Sequence, residues 1–301
     1  MKSVFLAVAI GMVGWSGFLG ASAAGGQAGL RFEASGAGFR FDTGELRGVL
    51  RGGGRPAGLT ELVDVATGTN LAGRSGVLGF YRLLDADTRY PDGWSWTGGA
   101  ARVLSDGAVE ATWPADAAHP FDLRAVYRWR TPSTLDLVTT LTAGKALRRM
   151  EVFVASYFNG FADSRVFAKT PAGTAFLAAD EASGVWQAFP RDEAAAAIVR
   201  DGRWTRPPHP VEWAIRPPLA APLGMRRDGP TGRPALVMAR PGGCFAVLNP
   251  HGAEAHRSLY LSLFGRDLGP GETVTAVVRL VVGRGMTDAA ALSAWEEFRK
   301  P

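Results

Sequence analysis

The sequence has very little cysteine: Cys244 is the only one in 301 residues. A single thiol cannot form a disulfide within the chain, so a packed core must stabilise the fold. Hydrophobic residues make up 47% of the chain, which is enough to build such a core. Cys244 follows Gly242-Gly243 and precedes Phe245-Ala246-Val247, a pattern that predicts a strand start with a small buried side chain.

The sequence also lacks any block of like charges, although the chain is basic, with a formal net charge of +5 and a pI of about 9.7. The arginines are scattered and do not alternate with aromatic residues, so nucleic-acid binding is not predicted. No helix pattern follows the glycines at 52–54, which argues against a phosphate-binding loop. Such a basic surface suits a soluble protein, and it is also compatible with an acidic polysaccharide partner.

Long apolar runs are absent beyond the N-terminal one at residues 4–19. Lys2 precedes this run and Ala21-Ser22-Ala23-Ala24 follows it, the pattern of a secretory signal peptide over residues 1–24. Glycines interrupt the run, which is shorter than the roughly 20 apolar residues of a spanning helix. We therefore predict an exported protein, periplasmic or extracellular, without a stable membrane anchor, whose residues 25–301 form one domain.

Apolar and polar residues alternate in many short runs, which is typical of half-buried strands. Residues 123–129 and 135–141 form two such runs, and Thr131-Pro132-Ser133-Thr134 supplies turn residues between them, so the pair predicts an antiparallel hairpin. The 39 glycines and 19 prolines fall largely between runs and predict many turns joining short strands. The pattern is that of an all-β domain.

Helix patterns are few. Residues 287–299 predict a C-terminal helix, because Asp288 near its start suits the helix dipole and Leu292, Trp295 and Phe298 would form a buried stripe. Residues 193–199 favour a short helical turn, although residues 194–197 fit a loop almost as well.

Aromatic residues concentrate in two predicted loops. Trp94 and Trp96 lie in the first, and Trp204, His209 and Trp213 lie in a proline-rich second loop that cannot join a sheet interior, because each proline removes a ladder donor. Flat aromatic faces on loops suit contact with sugar rings. The alternative for each tryptophan is that it fills the core.

Three stretches occur in a recognisable order: Pro120-Phe121-Asp122-Leu123-Arg124, then Tyr157-Phe158-Asn159, then the run from Asp267 to Thr273 that includes Gly269-Pro270-Gly271. In this order and spacing the chain resembles the aldose 1-epimerase and galactose mutarotase-like family over roughly residues 30–285. The resemblance implies a large antiparallel β-supersandwich, here with a short C-terminal helix, and a carbohydrate ligand.

The resemblance also implies that the epimerase chemistry has been lost. In the family a histidine ahead of the Tyr-Phe-Asn segment acts as general acid and a glutamate near the C-terminal strands acts as base. The register places Ala155 at the histidine position and Asn249-Pro250 at the glutamate position. Neither Ala155 nor Asn249 can transfer a proton.

These considerations predict one sugar-binding cleft, floored by residues 157–159 and rimmed by the loop tryptophans. The predicted ligand-binding residues are Trp94, Trp96, Tyr157, Asn159, Arg165, Trp204, His209, Trp213 and Asn249. Arg165 has an alternative role, since it could pair with Asp163 instead. No cofactor is predicted, and no metal site either, because His251, Glu254 and His256 lie in a Gly/Ala loop and match no common zinc motif.

The sequence therefore predicts an exported carbohydrate-binding or carbohydrate-processing protein without epimerase activity. An alternative is a polysaccharide lyase or hydrolase acting on acidic glycans, in which Tyr157 or His209 transfers a proton and Arg165 or Arg226 holds a carboxylate. A structural envelope protein, whose sandwich only mediates contacts, is a third interpretation.

Overall fold

The computed structural model describes residues 29–93, 95–228, 232–252 and 257–300. The predicted signal peptide at residues 1–24, together with Trp94, Glu254 and His256, lies outside these ranges, so the export segment stays a prediction. No helix within the described ranges is both long and apolar enough to cross a membrane.

The described chain is built mainly from β-strands, as the alternating pattern predicted. In chain order the strands are β1 (Phe32–Ser35), β2 (Gly38–Asp42), β3 (Leu46–Arg51), β4 (Gly58–Asp64), β5 (Gly79–Leu84), β6 (Arg89–Tyr90), β7 (Ala100–Val103), β8 (Val109–Trp113), β9 (Phe121–Thr131), β10 (Thr134–Ala143), β11 (Leu147–Tyr157), β12 (Asp163–Thr170), β13 (Gly173–Ala178), β14 (Gln187–Pro190), β15 (Ala214–Ile215), β16 (Leu219–Arg227), β17 (Pro234–Ala239), β18 (Cys244–Leu248), β19 (Ser258–Leu268) and β20 (Thr273–Val282). The α-helices are α1 (Glu193–Val199) and α2 (Asp288–Phe298), and 3₁₀ turns occupy Glu181–Ser183 and Arg203–Thr205.

The largest sheet has nine strands in the order β13-β12-β16-β17-β20-β10-β9-β8-β7. It contains the antiparallel hairpin of β9 and β10, in which Leu123 pairs with Leu141 and Tyr127 with Leu137. This confirms the hairpin predicted from the sequence. On β9 every second residue from Phe121 to Trp129 is buried, so the period of two places one face of the strand against the core.

A seven-stranded sheet, ordered β15-β14-β18-β19-β11-β5-β6, packs against the nine-stranded sheet. Its β11 is central, pairing antiparallel with both β19 and β5. Val152 and Val154 of β11 join the core cluster that also holds Leu137 and Val278 of the nine-stranded sheet. The two sheets therefore form the layers of a sandwich, which confirms the predicted all-β fold.

A four-stranded sheet, β1-β2-β3-β4, extends the same core. Phe32 and Phe41 contact Trp129 of β9, with ring centroids 6.3 Å and 4.8 Å away respectively. Trp129 thus fills the core and anchors this sheet to the sandwich.

Helix α2 covers the outer face of the nine-stranded sheet. The Thr287 hydroxyl caps its first turn by accepting from the Ala290 amide, and the buried Phe298 ring lies 4.4 Å from the Arg279 guanidinium carbon. The predicted C-terminal helix is confirmed, although of its predicted stripe only Phe298 is fully buried, while Leu292 and Trp295 are half-buried. Helix α1 begins after Asp192, whose carboxylate accepts from the Ala195 amide.

The seven-stranded sheet has a second apolar face, directed away from the sandwich. Because side chains alternate along a strand, Phe153, Ala155 and Tyr157 lie opposite Val152 and Val154 and belong to a separate buried cluster. The 3₁₀ turn at Arg203–Thr205 and the proline-rich loop after it cover part of this face. The face they leave accessible forms the candidate site.

Candidate functional site

A cavity of ≈ 700 Å³ opens on this outer face of the seven-stranded sheet. Aromatic side chains form much of its wall, including Tyr81, Phe153, Tyr157, Trp186, Trp204 and Trp213. The rings meet mostly edge to face: the centroids of Trp204 and Trp213 are 5.4 Å apart and those of Trp186 and Trp213 are 5.7 Å apart. Such mutual packing fixes the ring planes before any ligand arrives.

An irregularity in β5 places two consecutive side chains at this cavity. On β11, Phe153 pairs with Arg82 and the next residue, Val154, pairs with Phe80, so Tyr81 is the extra residue of a β-bulge. Tyr81 and Arg82 therefore both line the cavity, whereas a regular strand would direct one of them into the sandwich core.

Arg82 is the most unusual group in the cavity wall. Its side chain is only 2% exposed, and its Nη2 donates to the carbonyl oxygen of His209 at 2.7 Å. Its Nε and Nη1 donate to no acceptor within the described ranges. The guanidinium carbon lies 4.6 Å from the Trp204 ring centroid and 5.4 Å from that of Tyr81. Burial lowers the pKa of Arg82, and the neighbouring Arg89 lowers it further.

Arginines also hold the proline-rich loop over the cavity. Arg89 Nη1 donates to the carbonyl oxygens of Arg206, at 3.1 Å, and of Pro208. His209, which takes a left-handed backbone conformation with φ 59°, accepts from Arg82 through its carbonyl. The loop backbone is therefore fixed to β5 and β6 by charged donors, and hydrogen bonds of this kind are stronger than neutral ones.

Three tyrosines, Tyr81, Tyr157 and Tyr260, bring hydroxyl groups together at the cavity. Ser258 Oγ donates to Tyr260 Oη at 2.6 Å, and the ring centroids of Tyr157 and Tyr260 are 5.7 Å apart. Burial raises the pKa of both phenols, and the hydroxyl of Tyr260 contributes to the shift at Tyr157. At neutral pH both side chains are therefore protonated, and they suit hydrogen bonding better than proton abstraction.

The described wall of the cavity contains arginines but no carboxylate. Arg55 and Arg74 reach it from exposed positions, and Arg82 lies deeper in the wall. His209 also lines the cavity and is exposed. The charge on this part of the wall is therefore positive.

The structure brings four of the predicted ligand-binding residues into this cavity: Tyr157, Trp204, His209 and Trp213. It places Trp96, Asn159, Arg165 and Asn249 outside this cavity. Trp94 lies outside the described residues.

Trp96 is buried in the sandwich core rather than at the cavity rim. Its ring stacks on His119 with centroids 3.9 Å apart and also contacts Trp113 and Phe121. The loop position that suggested exposure is folded inward, because this packing buries the ring to 6% exposure.

Asn159, Arg165 and Asn249 also lie away from the aromatic cavity. Asn159 Nδ2 donates to the Asn70 carbonyl at 3.1 Å beside a separate cleft. Arg165 pairs with Asp163 at 3.0 Å, the alternative role that the sequence suggested. Asn249 is fully buried and its Oδ1 accepts from Ser164 Oγ.

The positions corresponding to the family's proton-transfer pair are inert here. Ala155 lies on the cavity side of β11 between Phe153 and Tyr157, where it is buried beneath its neighbours. Asn249 is held by Ser164 and does not line the cavity. The two positions therefore lack proton-transfer chemistry, and they do not come together at the cavity.

Two other candidates have structural roles. Arg226 donates to the carbonyl oxygens of Phe161, Pro250 and Ser258 at 2.7–2.9 Å, so its guanidinium is not placed to hold a carboxylate in the cavity. Burial lowers its pKa to about 10. His251 Nδ1 lies 3.2 Å from the Ala179 carbonyl. Within the described ranges no three His, Cys, Asp or Glu side chains converge as a metal site.

Sequence reasoning missed Tyr81, Arg82 and Trp186. One signal was present: Arg82 interrupts the otherwise apolar and aromatic strand Gly79–Leu84, and a charged residue in such a strand needs a special environment. The bulge that directs both Tyr81 and Arg82 to one face is not readable from local sequence.

No protein-family model matches the chain, and no curated protein matches its sequence. Similar folds occur among solved structures. The α-N-acetylgalactosaminidase NagBb from Bifidobacterium bifidum, in complex with GalNAc, is similar over 89% of this chain and 38% of its own, with 11% identity and a TM-score of 0.51. The heparan sulfate lyase HepC from Pedobacter heparinus is similar over 85% of this chain and 37% of its own, with 9% identity and a TM-score of 0.47.

A proposed aldose 1-epimerase from Escherichia coli K12 is similar over 85% of this chain and 99% of its own, with 13% identity and a TM-score of 0.44. This chain thus spans well under half of the galactosaminidase and of the lyase. The likeness to the galactosaminidase is one of fold. The predicted all-β sandwich is confirmed.

Proposed function

We propose that this protein binds a carbohydrate in the aromatic cavity and that it does not epimerise sugars through the family's acid–base pair. The observation that carries the proposal is the wall itself: packed tryptophans and tyrosines beside buried hydroxyl and guanidinium donors, in a concavity of ≈ 700 Å³. Sites for small ligands combine apolar walls with a few directional polar groups in this way.

The geometry of the wall suits a sugar ring better than a purely apolar ligand. Trp186, Trp204 and Trp213 provide flat apolar surface, while Tyr157 and Arg82 provide donors for hydroxyl oxygens. The indole nitrogens of Trp204 and Trp213 are buried and make no hydrogen bond within the described ranges, so they add two donors without acceptors. A polyhydroxylated ligand would satisfy both kinds of surface.

The absence of proton-transfer groups at two positions supports the loss of epimerase chemistry. Epimerisation at an anomeric carbon needs an acid and a base on either side of it. Ala155 and Asn249 supply neither, and the described wall contains no carboxylate that could replace them.

A second candidate function is a lyase or hydrolase acting on acidic glycans, because Tyr157 and His209 both line the cavity with Arg82. The raised pKa of Tyr157 favours a proton donor over a base at neutral pH. Absorbance of unsaturated products on uronic substrates would reveal lyase activity, and such activity surviving both Tyr157→Phe and His209→Ala would exclude these residues as its catalytic groups.

Calorimetric titration with a panel of neutral and acidic oligosaccharides tests the binding proposal. Trp186 lies at the half-buried edge of the wall. Trp186→Ala should weaken the affinity for the sugar by about tenfold, a loss of about 1.4 kcal/mol in binding free energy. Trp295→Ala is the matched control, because Trp295 is also half-buried but lies on α2, outside the cavity. If no oligosaccharide of the panel binds, the proposal is rejected.

We also propose that the protein acts outside the cytoplasm, periplasmic or extracellular, because residues 1–24 have the pattern of a signal peptide. Expression of the full chain in a bacterial host, followed by fractionation and N-terminal sequencing, tests this. Export with a new N-terminus near Ala24 is the expected result, and an intact N-terminus in the cytoplasm would reject it.

A further inference from the structure

The guanidinium of Arg82 is buried, and no carboxylate of the described residues lies within ion-pair distance of it. Its Nη2 donates to the His209 carbonyl, while its Nε and Nη1 make no hydrogen bond within the described ranges. Buried charges in folded proteins are normally paired and hydrogen-bonded, because removal from water is costly. Such a group at a cavity wall is placed for a partner that arrives with a ligand.

The environment of Arg82 defines the chemistry of that partner. The guanidinium carbon lies over the rings of Trp204 and Tyr81, 4.6 Å and 5.4 Å from their centroids, so these neighbours supply cation–π contacts but no carboxylate. The two nitrogens without an acceptor, Nε and Nη1, lie on different edges of the guanidinium, and each can donate to an oxygen of a carboxylate or a sulfate. A neutral hydroxyl would satisfy one donor without matching the charge.

The charge of the surrounding wall also favours an anionic ligand. Arg55 and Arg74 line the cavity from its exposed rim, and none of the described lining residues is acidic. A concave surface lined by one sign of charge attracts ligands of the opposite sign.

We infer that the cavity selects an anionic saccharide, whose carboxylate or sulfate group accepts a hydrogen bond from the Arg82 guanidinium while its ring lies against the aromatic wall. The inference rests on the proposed carbohydrate-binding function and specifies its ligand class. A uronic acid and a sulfated sugar present the same anionic oxygens, so the test must separate these two sources.

Matched ligand pairs provide the test on the purified full-length protein. One pair is trigalacturonate and its methyl ester; the other is a sulfated galactan oligosaccharide and its desulfated form. In at least one pair the anionic member should bind more than tenfold tighter, and added salt should reduce this preference. The pair that shows the preference identifies the anion as carboxylate or sulfate.

Variants locate the preference at Arg82. Arg82→Gln should abolish most of it, and Arg82→Lys, which keeps the charge but loses the planar edge, should retain only part. Arg40→Gln is the matched control: Arg40 is an exposed arginine of β2 that pairs with Glu33 and does not line the cavity, so the preference should persist.

The outcomes separate the two proposals. Equal affinity for both members of both pairs would overturn the anionic selectivity and leave carbohydrate binding intact. Failure of every ligand to bind the unmodified protein would overturn carbohydrate binding itself. A preference that survives Arg82→Gln in a folded protein would also overturn the inference, and the ligand pairs remain decisive if that variant does not fold.

Discussion

Glu151 and Arg203 form an ion pair in which both side chains are fully buried, with Glu151 Oε2 3.2 Å from Arg203 Nη1. Ser262 Oγ donates to the other carboxylate oxygen at 2.6 Å, and Asp201 pairs with Arg203 at 2.8 Å. Burial raises the pKa of Glu151, while Arg203 opposes that shift. Because Arg203 directly precedes Trp204, this network fixes the cavity wall to the centre of β11.

Breaking this pair should be strongly destabilising. Arg203→Met leaves the Glu151 carboxylate buried without its nearest positive charge, and we expect a loss of about 3–5 kcal/mol in the free energy of unfolding. The control is Arg40→Met, which removes an exposed pair with Glu33 and should cost less than about 1 kcal/mol. Urea denaturation measures both, and similar values for the two variants would contradict the role given to Arg203.

Asp64 should make stability fall in acid. Burial acts to raise its pKa, but the Thr67 hydroxyl, the Arg233 guanidinium and the Ala66 amide outweigh burial and hold the pKa below its usual 3.8. A carboxyl whose pKa is lower in the folded state stabilises the protein above the unfolded-state value, and this contribution disappears as pH falls through the folded-state pKa.

The expected result is a stability difference between the unmodified protein and Asp64→Asn that is largest near neutral pH. It should shrink as pH falls below 3.8, because the unfolded chain then binds a proton at Asp64 while the folded protein does so only at its lower pKa. Urea midpoints measured at a series of pH values check this. A difference that stays constant down to about pH 2 would show that Asp64 does not titrate as described.

Cys244 should be unreactive in the folded protein. Its side chain is 2% exposed, and burial raises the pKa of the thiol to about 12, so almost no thiolate is present at neutral pH. We expect no alkylation by iodoacetamide under native conditions and complete alkylation in urea, measured by mass spectrometry. Rapid native labelling would contradict the burial and would reopen a chemical role for Cys244.

Gly48 should be intolerant of any side chain. A Cβ at this position would lie 2.0 Å from the Glu61 carbonyl oxygen on the neighbouring strand β4. Gly48→Ala should therefore destabilise the protein by about 1–3 kcal/mol, since one of the two strands must move. Gly53→Ala is the control, because nothing lies within 4 Å of its Cβ and the change should stay within about 0.5 kcal/mol. Equal thermal midpoints would refute the close approach.

Local sequence patterns predicted the elements better than the site. The hairpin of β9 and β10, the strand start at Cys244 and the C-terminal helix follow from periodicity, turn residues and signals at the helix start. These signals act over a few residues, so they are visible without tertiary information. Trp96 shows the limit, because a glycine-rich loop suggested exposure while stacking on His119 buried the ring.

By itself the sequence determined that this chain forms antiparallel sheets, because alternation and turn residues are properties of the chain alone. Only the tertiary structure decided that Tyr81 and Arg82 share a face with Trp204 and Trp213, and that Asn249 does not. The physical reason is that one extra residue in β5 and long-range hydrogen bonds to a distant loop set these directions. Neither leaves a periodic trace in the sequence.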